Sequence, residues 1–250
     1  MLVLLVLFAC GSGAPDAATP PPPTAPASPP TQAVEKVPPA PAAQELHPHM
    51  EEHFAVVSAA RNALLIGDLD TAKERMSWIA HHEPAEGMPR EWAPYAEAMR
   101  KAAVEASRRS DANLLAQGVA TVARQCGSCH AAEGKGPHFE VEPSNSGGSE
   151  RDHMVRHNEA SEALWRGLVS ADDAQWAHGA ELLAGQEALR GLKHPSGEPT
   201  PDALMALGKQ VHKLGAAGLL EMDWDGRAKL YGELVATCAT CHVEKKVGTE

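Results

Sequence analysis

From Leu46 onward, apolar residues recur at three- and four-residue steps. Leu46, Met50, His53, Val57, Ala60 and Leu64 fall on one face of a helix. Pro48 suits the first turn of that helix, where its missing N–H costs nothing. Gly67-Asp68 interrupts the pattern, and the stretch from Thr71 to about His82 resumes it. A Pro/Gly loop from Glu83 to Pro89 leads to a third helix over about Glu91–Arg108. Ser110 or Asp111 can cap a fourth, which runs through Leu115, Val119 and Val122 into Cys126.

The same order then repeats. His49-Met50-x-x-His53 matches His153-Met154-x-x-His157, 104 positions later. Asp152, three residues after Ser149, forms a loose capping box at the start of this helix, which carries Leu164, Trp165 and Leu168. Ala171-Asp172-Asp173 turns the chain into a helix through Trp176, Leu182 and Leu183. A Pro/Gly-rich loop at 191–201 precedes a third helix, Pro201 to about Leu220, and Asp223 or Asp225 starts a fourth ahead of Cys238. Short loops between amphipathic helices favour antiparallel neighbours. The pattern predicts an all-α chain of two tandem four-helix bundles, residues 45–140 and 149–250, joined by a linker at 141–148.

The first 44 residues read differently. MLVLLVLFA is uncharged and apolar but shorter than the roughly 20 residues that span a bilayer, so residues 1–10 read as a signal peptide. Leu7-Phe8-Ala9-Cys10 resembles a lipobox, which implies lipidation of Cys10 and a membrane anchor. Residues 11–44 hold eleven prolines among Ala, Thr and Ser, a composition that forms an extended tether rather than a core. The formal net charge of −11 argues against nucleic acid as a partner and favours partner proteins with basic docking surfaces.

Two runs carry the chemistry. CGSCH at 126–130 recurs as CATCH at 238–242, at the end of the last predicted helix of each repeat. Cys-x-x-Cys-His is the attachment cue for haem c: two thiols add to the porphyrin vinyls and the adjacent His takes the iron. Cys126, Cys129, Cys238 and Cys241 would form the thioethers, and His130 and His242 would be the proximal ligands, giving two covalently bound haems. A Cys₄ zinc site would need two pairs 112 residues apart to converge. A thioredoxin-like motif wants a preceding strand, and a disulfide would leave both histidines unexplained. The five cysteines divide into four for haem and one for lipid.

Only VEKKVGTE follows His242, without His or Met, so a sixth ligand must come from upstream. With the motif at the end of the last helix and Met-x-x-His-Phe in helix one (Met50 to Phe54), the chain resembles the class II cytochromes c, the cytochrome c′ and c-556 family. That resemblance implies four-helix bundles with a distal residue from the first helix. The haem at His130 would face residues 49–53 and that at His242 would face 153–157. His53 and His157 lie on the core stripe under either choice of face. Met50 and Met154, or His49 and His153, are the alternatives. His47, His81, His82, His138 and His178 have no counterpart in the other repeat and fit surface or loop roles, whereas the five tryptophans fit core or haem packing. The expectation is a single-electron carrier, not an enzyme, in the periplasm or cell envelope. The alternative is a gas-binding or gas-sensing haem protein with an open distal site; a dihaem peroxidase fits less well.

Overall fold

A computed structural model describes residues 41–141, 150–185 and 201–244. The expected signal peptide, Cys10, nearly all of the tether, the linker from residue 142, the Ser149 cap and almost all of the 191–201 loop lie outside the described residues. What is described is all-helical, with no strand among the described residues. The helices are α1 (Pro41–Leu65), α2 (Leu69–His81), α3 (Ala93–Ser107), α4 (Ala112–Glu133), α5 (Glu150–Ser170), α6 (Asp173–Ala184), α7 (Asp202–Gly218) and α8 (Trp224–Glu244). A 3₁₀ turn, Arg90–Trp92, precedes α3.

The caps are local and chemical. Asp68, Asp111 and Asp172 each accept hydrogen bonds from backbone N–H groups of the following turn, so α2, α4 and α6 start where an acidic oxygen meets orphan donors. Asp223 does the same for α8 through Gly226 N–H. Ahead of two of these caps stands a left-handed residue, Gly67 at φ +80° and Ala171 at φ +55°. These are equivalent points of the repeat, 104 positions apart, and Ala171 bears the steric cost that Gly67 avoids. One expectation changes: α1 begins at Pro41 and so runs through Pro48, which lies inside the helix rather than in its first turn. Its absent N–H leaves one helical bond unmade.

Helices α1 to α4 pack in chain order, as do α5 to α8, but the two quartets share one core. The described residues belong to one compact unit, in which α4 packs on α8 as well as on α5. The α4–α8 pair is antiparallel. Gln117 donates to the Lys229 carbonyl at 3.0 Å, and Arg124 donates to Asp225 at 3.0 Å. Cβ-free Gly232 lets α8 close on Gln117, where a methyl group would come within 2.9 Å of backbone. Helices α1 and α5 also run antiparallel where they meet: Trp165 donates to Ser58, and Arg61 pairs with Glu162. The start of each therefore lies towards the end of the other.

Two candidate metal centres

Each Cys-x-x-Cys-His run occupies the last turns of a helix, α4 or α8. Positions i, i+3 and i+4 share one side of a helix, so both sulfurs and the imidazole of a run face the same way. The four motif cysteines are free thiols. Burial, with the neighbouring cysteine second, pushes Cys126 and Cys238 up to about 12, so neither presents a thiolate at neutral pH. The two runs are also far apart. Arg124 stands beside Asp225, which puts Cys126 level with the start of α8, whereas Cys238 lies fourteen residues beyond Trp224. At the helical rise that is about 20 Å, too far for one metal to bind both pairs.

The motif histidines are held alike. Nδ1–H of His130 donates to the Val169 carbonyl at 2.8 Å, and Nδ1–H of His242 donates to the Leu65 carbonyl at 2.5 Å. A carbonyl only accepts, so the neutral ring carries its proton on Nδ1 and its lone pair on Nε2. That is the tautomer a metal-ligating histidine uses, with its other nitrogen spent on a backbone oxygen.

The windows proposed for the distal residues are richer than the repeat suggested. His49 and His53 meet His82, and His153 and His157 meet His212; in each trio the candidate ring nitrogens lie within 4.8 Å of one another. The rings of His49 and His53 are 4.3 Å apart at their centres, and those of His153 and His157 are 4.2 Å apart. His82 is placed by stacking on Trp78 at 3.9 Å. His212 is placed by donating its Nδ1–H to the Leu183 carbonyl at 2.5 Å. Nε2 of His53, of His157 and of His212 is buried with no hydrogen-bond partner among the described residues. Leaving such an atom unmet costs about 1–3 kcal/mol, so these nitrogens call for a cation or a donor.

Burial first, then the neighbouring His49 and His82, lowers His53 to about 4. Burial first, then His153, His212, Arg156 and His242, lowers His157 to about 3. Both rings are therefore neutral near pH 7, the form that coordinates metal. The part played by His242 shows that the second motif and the second trio lie within electrostatic reach. On the first side, Phe54 of α1 meets Phe139, just beyond the first motif, at 6.2 Å between ring centres.

His53 is buried, as the stripe required, but in the second window His153 is the fully buried residue while His157 is half-buried. Met50 and Met154 are half-buried. His82, expected at the surface, is instead half-buried within the first trio, because the end of α2 packs beside the start of α1. His212 has no partner 104 residues away, so the repeat does not reveal it. Its place on the apolar face of α7, between Val211 and Gly215, was the available signal. His47, His81 and His138 are exposed, and His178 is half-buried. Trp165 and Trp176 are core residues.

No family model, curated protein or solved structure matches this chain.

Proposed function

We propose that this protein is a dihaem cytochrome of the c type, built from two four-helix units that resemble class II cytochromes c. It carries single electrons in the periplasm or cell envelope. The observation that carries the reading is a doubled one: in both motifs the histidine Nδ1 is spent on a backbone carbonyl, which leaves Nε2 for a metal. Cys126 and Cys129 with His130, and Cys238 and Cys241 with His242, are the residues that would hold the two haems. Bound haem c supplies the one-electron iron couple.

The chain's own part is to fix ligand, charge and solvent access. The proximal imidazoles are oriented in one tautomer, and His53 and His157, the proposed sixth ligands, offer neutral nitrogens for the distal side. A histidine on each face serves both oxidation states of iron, whereas methionine favours the reduced one. The net charge of −11 attracts basic redox partners over a range set by salt. Lipidated Cys10 and the Pro-rich tether would hold the unit near a membrane while letting it reach those partners.

The test is stoichiometry. Protein produced with haem-attachment machinery should gain the mass of two haems and give a pyridine haemochrome of two per chain. A haem-free protein carrying zinc would end this reading.

A further inference from the structure

The contacts that hold the two motif histidines cross from one repeat to the other. His130 belongs to the first repeat, and its acceptor, Val169, ends helix one of the second. His242 belongs to the second repeat, and its acceptor, Leu65, ends helix one of the first. Val169 and Leu65 are 104 positions apart, the same offset that relates the two His-Met-x-x-His runs. The two hydrogen bonds are thus one contact made twice in opposite directions.

Both acceptors sit in the last turn of a helix, where carbonyls have no partner within the helix and carry the negative end of its dipole. Close packing brings them in. Gly127, inside the first motif, lies so near α5 that an added Cβ would fall 2.2 Å from the Leu168 carbonyl oxygen. At the other contact, a Cβ on left-handed Gly67 would fall 2.4 Å from Val243, the residue after His242. The antiparallel crossing of α1 and α5 at Ser58, Arg61, Glu162 and Trp165 sets the approach on both sides.

We propose that each haem site is completed by the opposite repeat: the C-terminal turn of α1 positions His242, and that of α5 positions His130. This rests on the dihaem reading and adds to it that neither repeat holds its proximal histidine alone. Donation of Nδ1–H to a carbonyl makes the imidazole a stronger base and a better ligand for oxidised iron, so the contact lowers the potential of the haem it touches. Each repeat therefore sets the potential of the other's haem.

The decisive variant is Gly67→Ala, in the first repeat and remote in sequence from either motif. It disturbs the turn beside Leu65 and pushes on Val243. In a redox titration that resolves the two haems, it should raise the midpoint of the haem attached at Cys238 and Cys241 and leave the other unchanged. Gly127→Ala should do the converse, raising only the haem at Cys126 and Cys129; the second motif already carries Ala239 at this position, so attachment itself tolerates alanine. Ser128→Ala, at the other intervening position, should move neither. If a variant does not fold, the unaltered reduced protein still decides. The ring N–H protons of His130 and His242 should exchange slowly with solvent, and free exchange would overturn the proposal. Unshifted midpoints in folded Gly67→Ala and Gly127→Ala proteins would also overturn it, while two haems per chain still stood. A chain that takes up no haem would instead remove the reading beneath it.

Discussion

The guanidinium of Arg61 lies over the ring of Trp165, 5.4 Å from its centre, and joins Glu162 one turn back on the same helix. Arg61 is 2% exposed, and Tyr231 packs on Trp165 with its hydroxyl meeting Ser161 at 3.1 Å. Burial works against the arginine charge, but Tyr231 and Glu162 outweigh it and raise the pKa of the group. This polar cluster sits where α1 of one repeat crosses α5 of the other.

The cluster predicts an asymmetric mutant cycle. Glu162→Gln removes the counter-charge of a buried cation and leaves it only neutral acceptors, Asn62 Oδ1 among them, which should cost about 3 kcal/mol. Arg61→Met leaves only a carboxylate with water access and should cost less, about 1–2 kcal/mol. The double variant should be more stable than Glu162→Gln alone, as read from urea unfolding of all four proteins. Equal losses for the two single variants would contradict this account.

Acid should weaken the haem-free chain through its histidines. His53 and His157 have folded pKa values near 4 and 3, below the ordinary 6.5 of the unfolded state. Between pH 6.5 and those values the unfolded chain binds protons that the folded chain refuses. Stability is therefore full above pH 6.5 and falls as pH drops, by up to about 1.4 kcal/mol per pH unit for each ring. The groups acting on them are His49, His82, His153, His212, Arg156 and His242, all of which favour the neutral ring. Glu52, 3.8 Å from His82, favours the charged form of His49, but burial and His82 outweigh it there. His53→Leu should flatten the pH dependence of unfolding between 6.5 and 4; an unchanged slope would show that another group dominates.

Gly215 tests the link between packing and the second trio. A Cβ there would lie 2.4 Å from the Leu183 side chain and 2.8 Å from backbone of α6. Gly215→Ala must push α7 outward, at a cost of about 1–3 kcal/mol. His212 is on α7 one turn earlier, so the same variant should weaken its bond to the Leu183 carbonyl and disturb the second haem but not the first. Denaturant midpoints and the separate haem spectra check both halves of this expectation.

Helix order is legible in the sequence because apolar spacing and acidic caps are local: of the pairs Ser110/Asp111 and Asp223/Asp225, Asp111 and Asp223 act as caps. The side of α1 that carries His53, Val57, Ala60 and Leu64 was also legible, since the same stripe that predicts a helix predicts which face is buried. The pairing of α4 with α8 was not. It depends on Gly232 and Gln117, whose fit is a matter of shape between residues far apart in sequence. The repeat likewise showed two members of each trio but hid the third. His82 comes from the end of α2 and His212 from within α7, non-equivalent elements that deliver an imidazole to equivalent places.

The proposed envelope location rests on residues 1–44. Stable anchoring takes more than one acyl chain, as a lipidated N-terminal cysteine would provide. Cys10→Ser should release the protein from the membrane fraction into the soluble one, with haem content unchanged. Identical fractionation of the two proteins would count against the anchor.

The sixth ligands separate a carrier from a gas-binding protein. If His53 and His157 complete the irons, both haems should be six-coordinate and low-spin, and carbon monoxide should bind slowly because a protein ligand must first leave. His53→Ala should open only the first haem and His157→Ala only the second, since the two trios stand in different halves of the chain. His82→Ala and His212→Ala should leave the spin state low, because these rings flank the proposed ligand. A switch to high spin in His212→Ala alone would transfer the second ligand to that residue, whose Nδ1–H bond to Leu183 already aims Nε2 into the trio. Sulfur ligation by Met50 or Met154 would show itself in a near-infrared charge-transfer band and a higher potential. Two haems that are high-spin from the outset, and unmoved by any of these substitutions, would favour gas binding over electron transfer.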